Sequence, residues 1–519
     1  MWRNPSINGK AFWVLTIIIS WILVPGSSFQ SLPNTARIPY FPSSRTTSSS
    51  LHDASNDNNN HHNGATAVIL NTNARGVTKS LVPLCQELFG TMNVFVTTSG
   101  QEARQACQTI LAKKHYKLVV PIGGDGTLAQ AINDYCDAYL RDTNQENATL
   151  NDAMDALPLL GYIPLGTGNG VGSSVGCQLG SVGGGTNKKR RRFWNRLPFV
   201  GPRKNDKVKS VLEALSLVGE RLQQDLASGK SREEAESRFN VAELPMIEVC
   251  RLDEEDEEDE EEETNSDSNA APSKGDLCFF AGVGFDSLML DDFKSVKRWS
   301  LKTGFLPRIL GSVVGYSVAL VTLTLPKALT RGEHKIHVTL KTSDEETLWV
   351  DHRPGDYVKQ VAKAEPGQAE DKPVTIFSGI TGICCAGTSP YYGGGLRLFP
   401  FARLTLDNMH LRLGRINPLV GFVNIPRIFE GSYREPSERF GVIDFIGKDF
   451  QVDVKRTRRS NIHTDTNERN GRRGFPFQHS GESQGNFERF RLRATNRKVR
   501  FVNFMEKRCI TCDDDYPTD

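Results

Sequence analysis

The sequence predicts an α/β domain on a parallel sheet followed by an all-β domain, and three observations carry that expectation. From Ala65 short apolar runs alternate with stretches of helical period; two glycine-rich turns follow consecutive runs; and beyond about residue 240 strand-like runs are punctuated by turn residues. Ala67–Leu70 is the first run, and Leu81, Leu84, Cys85 and Leu88 stripe the helix after it. Asn93–Val96 is the second strand, and a helix over Glu102–Leu111 places Ala103, Ala106, Cys107, Ile110 and Leu111 on one face. Lys117–Ile122 is the third strand, Leu128, Ile132, Tyr135 and Tyr139 stripe the third helix, and Leu159–Ile163 is the fourth strand. Continuous apolar strands joined by helices imply parallel pairing with both faces covered, and such sheets bind ligands at the carboxyl ends of their strands. Val208–Leu226 reads as a further helix. The later runs are Met246–Leu252, Leu277–Val283, Lys335–Leu340, Thr347–Val350, Val374–Phe377, Leu404–Leu413, Phe440–Phe445 and Phe450–Val454, as expected of a β-sandwich. Ile309–Leu325 is apolar but broken by Gly311, Gly315, Ser317, Thr322 and Thr324, so it is expected as a buried helix rather than a membrane span.

The whole chain offers no strong field. Lys+Arg of 63 against Asp+Glu of 61 leaves +2, which argues against nucleic acid as a partner. Ten cysteines in 519 residues exclude a disulfide-dense scaffold. Residues 1–52 hold no acid, only Arg3, Lys10, Arg37 and Arg45, and an apolar run from Ala11 to Val24 stops at Pro25-Gly26. That run is short for a bilayer and reads as a signal peptide, with an uncleaved anchor over Ala11–Phe29 as the alternative. The acid-free, Ser/Thr-rich stretch that begins at Phe29 has the composition of a transit peptide. The tandem resembles the two-part targeting sequences of algae with secondary plastids, which implies a plastid; an ordinary secretory route with a loose linker is the alternative. Lys188–Lys209 carries ten Lys/Arg against one Asp, interleaved with Phe193, Trp194 and Phe199, and Asp253–Glu263 is eleven consecutive acids. Both are expected to be solvated insertions. The basic one is also a candidate for peripheral contact with an anionic membrane. The expected division is therefore 1–28 signal peptide, 29–64 transit-like linker, 65–180 α/β domain, 181–210 basic insertion, 211–240 connecting helix, 241–505 sandwich with an acidic insertion at 253–274, and 506–519 tail.

The third strand runs into Gly123-Gly124-Asp125-Gly126-Thr127 and then a helix. Three glycines let the backbone turn tightly with its N–H groups toward an anion, which the helix start also favours. A carboxylate repels phosphate, so Asp125 is read as a holder of Mg²⁺ or as a base toward an attacking hydroxyl; the bland alternative is a helix-start residue. The fourth strand delivers Pro164-Leu165-Gly166-Thr167-Gly168-Asn169-Gly170 at the same sheet end. Two such loops on consecutive strands are expected to hold a triphosphate, with Thr167 and Asn169 as donors.

The pair Gly-Gly-Asp-Gly-Thr and Pro-Leu-Gly-Thr-Gly-Asn resembles the catalytic domain of diacylglycerol kinases and their sphingosine and ceramide kinase relatives. The likeness extends to Asn71-Thr72-Asn73-Ala74, Gly282-Val283-Gly284-Phe285-Asp286, Gly393-Gly394-Gly395 with Pro400 and Asp407, and Gly481-Glu482, over about residues 65–500. The resemblance implies an ATP-using, Mg²⁺-dependent kinase of a membrane lipid. It further implies a Rossmann-like nucleotide domain, a lipid-binding sandwich, and an active site in the cleft between them. Carried over by position, Asn71, Thr98, Gly123, Gly124, Gly126, Thr127, Gly166, Thr167, Gly168, Asn169 and Glu482 face ATP, Asp125 is catalytic and the metal holder, and Asp286 is the substrate-facing acid. Thr72, Gln130, Leu396, Asn408 and Ser480 depart from the usual pattern. The losses of acid at Leu396 and Ser480 open the alternative of a weakened pseudokinase that binds lipid or nucleotide. NAD kinases share the first loop and the two-domain plan but not the second loop, and an NAD kinase is the further alternative. Ser174 in Gly172-Ser173-Ser174-Val175-Gly176 lacks the strand that a hydrolase nucleophile needs. Cys509 and Cys512 form a lone pair without a zinc partner set.

Overall fold

The expected alternation is present. β1 (Thr66–Asn71), α1 (Leu81–Phe89), β2 (Val94–Thr97), α2 (Gly100–Lys113), β3 (Leu118–Gly123), α3 (Asp125–Asp142), α4 (Leu150–Ala156), β4 (Leu159–Leu160), β5 (Ile163–Pro164) and α5 (Gly170–Ser174) follow in order. β1 lies between β2 and β3, all parallel, with Val68 opposite both Val94 and Val120. Its apolar run is buried on both faces, which is why it does not alternate. Cys107 and Ile110 of α2 and Leu128, Ile132 and Tyr135 of α3 cover one face. Leu81, Cys85 and Phe89 of α1 cover the other, together with Val211, Leu212 and Leu215 of α6 (Lys204–Ala227). A computed structural model of the chain describes residues 64–142, 148–166, 169–175, 204–252, 275–303, 313–330, 332, 334–352, 358–360, 373–392, 396–415, 417–436, 441–457 and 474–503. The segment expected to target the chain, the acidic run, most of the basic run, Thr167, Gly168, the Gly393–Gly395 triplet and the Cys509–Cys512 pair lie outside the described residues.

Two local expectations are corrected here. The fourth strand is two short pieces, β4 and β5, broken at Gly161, where a Cβ would lie 2.5 Å from the Leu215 side chain. The helix expected from Val208 starts at Lys204, within the segment assigned to the basic insertion, and packs on the α/β core.

After α7 (Arg232–Glu236) come β6 (Val241–Arg251), β7 (Asp276–Cys278), β8 (Phe280–Gly284), α8 (Phe285–Thr303), α9 (Val313–Ala319) and α10 (Leu325–Thr330). Then follow β9 (Ile336–Thr342), β10 (Leu348–Val350), β11 (Val358–Gln360), β12 (Val374–Thr381), β13 (Ile383–Gly387), β14 (Met409–Gly414), α11 (Pro418–Val423) and α12 (Ile425–Glu430). The chain closes with β15 (Val442–Gly447), β16 (Asp449–Arg456), β17 (Phe475–His479), β18 (Glu482–Phe487) and β19 (Arg489–Val502). One antiparallel sheet runs β11-β10-β15-β14-β13-β8-β17-β18. Val283, Cys384, Leu411, Phe445 and Phe477 on it meet Val338, Leu340, Phe450, Val452 and Leu492 of the facing sheet, which makes the sandwich. Away from that core Asp444 binds Arg412 through two bonds of 2.7 and 2.8 Å and His352 at 2.8 Å, and His410 Nε2 lies 2.9 Å from its Oδ1; one buried carboxylate thus gathers three neighbours.

The facing sheet does not stop at the sandwich. β19 pairs antiparallel with β16 and β6, shifts register between Ala494 and Lys498, and then pairs Phe501 parallel to Leu160 of β4. The result is one 11-stranded sheet that crosses the expected 181–240 boundary. The strand expected from Leu404 begins at Met409, after turns around Asp407. The apolar stretch Ile309–Leu325, expected as a buried helix, is helical in its described part but only partly buried. Its described part is α9, a π-helical turn over Leu320–Thr324 and the start of α10, with Tyr316, Val318, Leu320, Val321 and Leu323 only partly buried. The π turn lies just before Pro326, which has no N–H to continue the regular ladder. Among the described residues no helix is long and apolar enough to cross a membrane.

Candidate active site

The two glycine loops meet backbone to backbone. Gly123 pairs with Pro164, and its carbonyl accepts the N–H groups of Leu165 (2.6 Å) and Gly166 (3.0 Å). A Cβ on Gly166 would sit 2.3 Å from the Gly124 Cα, so this contact requires glycine. Asn169 takes a left-handed conformation, φ +50°, and donates through Nδ2 to the Gly166 carbonyl at 2.9 Å, while its buried Oδ1 has no partner. Asn71, at the end of β1, donates to the Thr127 hydroxyl at 2.9 Å. Thr98 turns toward its own helix: its N–H and hydroxyl both bond Glu102, at 2.5 and 2.9 Å. Asn71, Gly123, Gly124, Gly126, Thr127, Gly166 and Asn169 are thus brought together, and Thr98 is held aside.

Asp125 opens α3 and is buried, 6 % exposed. Its Oδ2 accepts the Gly170 N–H at 2.6 Å and its Oδ1 the Tyr162 hydroxyl at 3.1 Å. The carboxylate of the first loop therefore holds the helix that begins after the second. Burial pushes its pKa up to about 6, against the pull of the Gly170 and Tyr162 bonds. Both oxygens are engaged from within, and among the described residues no group of three or more His, Cys, Asp or Glu side chains is placed to hold a metal ion.

Asp286 opens α8 just after β8 and is 8 % exposed. Three donors converge on its Oδ2: the Tyr392 hydroxyl (2.8 Å), Gln478 Nε2 (3.2 Å) and the Cys385 thiol (3.3 Å). Its Oδ1 is buried with no hydrogen-bond partner. Burial raises its pKa, tempered by Tyr392 and Cys385, and burial likewise pushes the Cys385 thiol far up, so Cys385 is no nucleophile.

The two carboxylates are joined through a short stretch of structure. A Cβ on Gly170, whose N–H reaches Asp125, would lie 2.7 Å from the Tyr391 carbonyl and 2.9 Å from that of Tyr392, whose ring carries the hydroxyl that binds Asp286. The departing Leu396 has a backbone use here, since its carbonyl accepts the Tyr392 N–H at 2.8 Å. The β17–β18 hairpin reaches both sites. Gln478 serves Asp286, while a Cβ on Gly126 would lie 3.6 Å from the Ser480 carbonyl and 3.8 Å from Glu482 Oε1. Glu482 is exposed, with Lys294 at 3.9 Å. Tyr162, Tyr392, Gln478 and Cys385 were not singled out from sequence. Their signal is weak: Tyr162 sits inside the fourth strand, Tyr392 precedes the glycine triplet, and Gln478 lies three residues before Gly481. Ser174, rejected as a nucleophile, pairs with Ser389 through their hydroxyls.

Residues 66–189 match the model of the diacylglycerol kinase catalytic domain. Three solved structures from Bacillus anthracis str. Sterne, two described as putative diacylglycerol kinases and one as a diacylglycerol kinase, are similar to this chain. The putative ones are 11% and 12% identical with TM-scores of 0.43 and 0.41, and the other is 10% identical with 0.38; each match covers 84% of this chain and 96% of the other. No curated protein matches.

Proposed function

We propose that this chain, whose residues 66–189 match the model of the diacylglycerol kinase catalytic domain, is a kinase of that family that transfers the γ-phosphoryl group of ATP to the hydroxyl of diacylglycerol or of a sphingoid or ceramide lipid. The observation that carries the lipid reading is the orphaned Oδ1 of Asp286, buried one tyrosine away from the second glycine loop. A buried carboxylate oxygen without a donor is unfavourable by about 1–3 kcal/mol, and a hydroxyl or ammonium of the substrate head would satisfy it. Backbone amides at the starts of α3 and α5 face the phosphates of ATP in this reading. Asp125 holds the loops together, and the second lone pairs of its oxygens leave it able to accept the proton of the attacking hydroxyl. Mg²⁺ would be held by the nucleotide phosphates and by Glu482, the exposed carboxylate beside Gly126, and would neutralise charge on the transferring group.

Incubating the chain from residue 65 onward with radiolabelled ATP and, separately, diacylglycerol, monoacylglycerol, sphingosine, ceramide and NAD tests the reading. Label in one lipid supports it and names the acceptor. Label in NAD overturns it, and no label in any acceptor favours the pseudokinase. Delivery to a plastid by residues 1–64 belongs to the same proposal. A fluorescent fusion of that segment in an alga with secondary plastids should enter the plastid and divert to the secretory route when Phe29 is replaced. Membrane contact through the ten cations of 188–209 is proposed as well, at about 1 kcal/mol each near an anionic surface.

A further inference from the structure

Two of the three donors on Asp286 come from segments that lean on the glycine loops, one on each. Tyr392 is tied to the second loop. α5, which follows that loop, is clamped at both ends on the segment Ser389–Tyr392. At Gly170 a Cβ would lie 2.7 Å from the Tyr391 carbonyl and 2.9 Å from that of Tyr392, and at Ser174 the hydroxyl pairs with that of Ser389. Ser389 in turn accepts the Tyr391 N–H at 3.2 Å. The Tyr392 ring packs on Phe280 and Phe399, with centroids 4.6 and 6.1 Å apart, and delivers its hydroxyl to Asp286 at 2.8 Å. Gln478 is tied to the first loop. It lies in the β17–β18 hairpin, whose Ser480 carbonyl would be 3.6 Å from a Cβ on Gly126. Its Oε1 accepts the Gly481 N–H at 3.3 Å while its Nε2 donates to Asp286 at 3.2 Å. The third donor is held differently: Cys385 lies inside β13, between Gly282 of β8 and Arg412 of β14, so its place is set by the sandwich sheet.

We propose that Tyr392 and Gln478 are positioning residues that make the acceptor carboxylate answer to the nucleotide. A nucleotide seated on the two glycine loops holds α5 and the hairpin, and through them both donors. The lipid head then meets an Asp286 that is already oriented, with Oδ2 saturated and Oδ1 on offer. The freedom lost in ordering these segments is charged to the first ligand and not to the second, so each ligand tightens the other. Bonds to a carboxylate are charge-assisted, and a small displacement of either donor is therefore felt at the open oxygen. The inference rests on the lipid-kinase reading and adds to it a coupling between the two sites.

Titration calorimetry of the full chain tests it. The affinity for β,γ-imido-ATP with Mg²⁺ is measured alone and with dioctanoylglycerol or sphingosine in detergent micelles, and the affinity for each lipid with and without the nucleotide. Nucleotide and at least one of the two lipids should tighten each other by about tenfold, by the same factor from either side. Tyr392→Phe keeps the ring and removes the hydroxyl, and Gln478→Met keeps the volume. Either should cut the factor to about threefold and raise the KM for lipid more than it lowers kcat. Cys385→Ala is the control: it removes a donor from the same oxygen, so lipid binding should weaken while the factor stays at about tenfold. Thermal unfolding checks that each variant folds. Wild-type affinities that are independent within about twofold overturn the proposal. So does a factor that Cys385→Ala lowers as much as Tyr392→Phe, since any loss at Asp286 would then act alike. Coupled binding in a chain that transfers no phosphate keeps the coupling and removes the kinase reading. Transfer with independent affinities does the reverse, and a chain that binds no nucleotide loses both.

Discussion

Asp125 and Asp286 are alike in almost every respect that a sequence records. Each follows a β-strand by one or two residues, each stands in the first turn of a long helix, and burial raises the pKa of both. They differ in how their oxygens are used. Asp125 gives one oxygen to Gly170 and the other to Tyr162, so each oxygen already has a donor and keeps one further lone pair. Asp286 has three donors crowded on one oxygen and none on the other. A satisfied buried carboxylate organises its surroundings; a half-satisfied one retains a desolvation penalty that a bound donor relieves.

The contrast can be broken by experiment, most forcefully at Asp125. Asp125→Asn should lower turnover by about 10²–10⁴-fold, the range for a lost general base. The same change should raise stability. The folded pKa of about 6 lies above the usual 3.8, so this group's contribution is fully present below about pH 3.8 and is lost as pH rises through 6. At pH 8 the buried charge therefore costs about 3 kcal/mol, which Asn removes while still accepting from Gly170 and donating to the Tyr162 oxygen. Thermal unfolding at pH 5 and pH 8 should show the variant gaining on wild type as pH increases; a variant that unfolds earlier at pH 8, or one that keeps its turnover, contradicts this account.

Asp286→Asn should act on binding instead. Loss of a charge-assisted bond to the substrate predicts a KM for lipid raised about ten- to 150-fold with kcat changed far less. A fall confined to kcat would erase the distinction between the two carboxylates. The pH profile gives a smaller effect: kcat should drop about tenfold per unit below about pH 6 as Asp125 takes up its proton, and the Asp125→Asn residual activity should lack that limb. Smallest is Ser480→Asn in the hairpin that touches both sites. His479 pairs with Glu482 across Ser480 (φ +48°) and Gly481 (φ +80°), a two-residue turn with both φ positive. Asn tolerates that region better than Ser, so the variant should gain about 0.5–1 kcal/mol in urea unfolding. No gain would mean that the turn is not strained.

What was legible in the sequence was local. A strand, three glycines, an acid and a helix start fall within ten residues, and so both loops and Asp125 could be read from spacing. Asp286 came only through the family likeness, because its partners are 99, 106 and 192 positions away. The same distance hid the use of Asp125, whose partners are 37 and 45 residues downstream. β19 escaped notice for another reason. Arg489, Arg491 and Arg493 alternate with Phe490, Leu492 and Ala494, and two of these arginines pair with acids of β16, so a strand looks like a polar tail. The apolar stretch through α9 and α10 misled in the opposite sense, since composition cannot say that one side of a helix is left open.

β19 also bears on how the chain is made. Phe501 fills the core beneath the parallel sheet and pairs its backbone with Leu160, some 340 residues earlier. During synthesis, at roughly 5–20 residues per second, β4 waits on the order of half a minute for its neighbour, with an open strand edge. The α/β half is therefore not finished when its own sequence has been translated. Chaperones have that interval in which to hold it, and any shortened product that ends before β19 leaves the exposed edge for good.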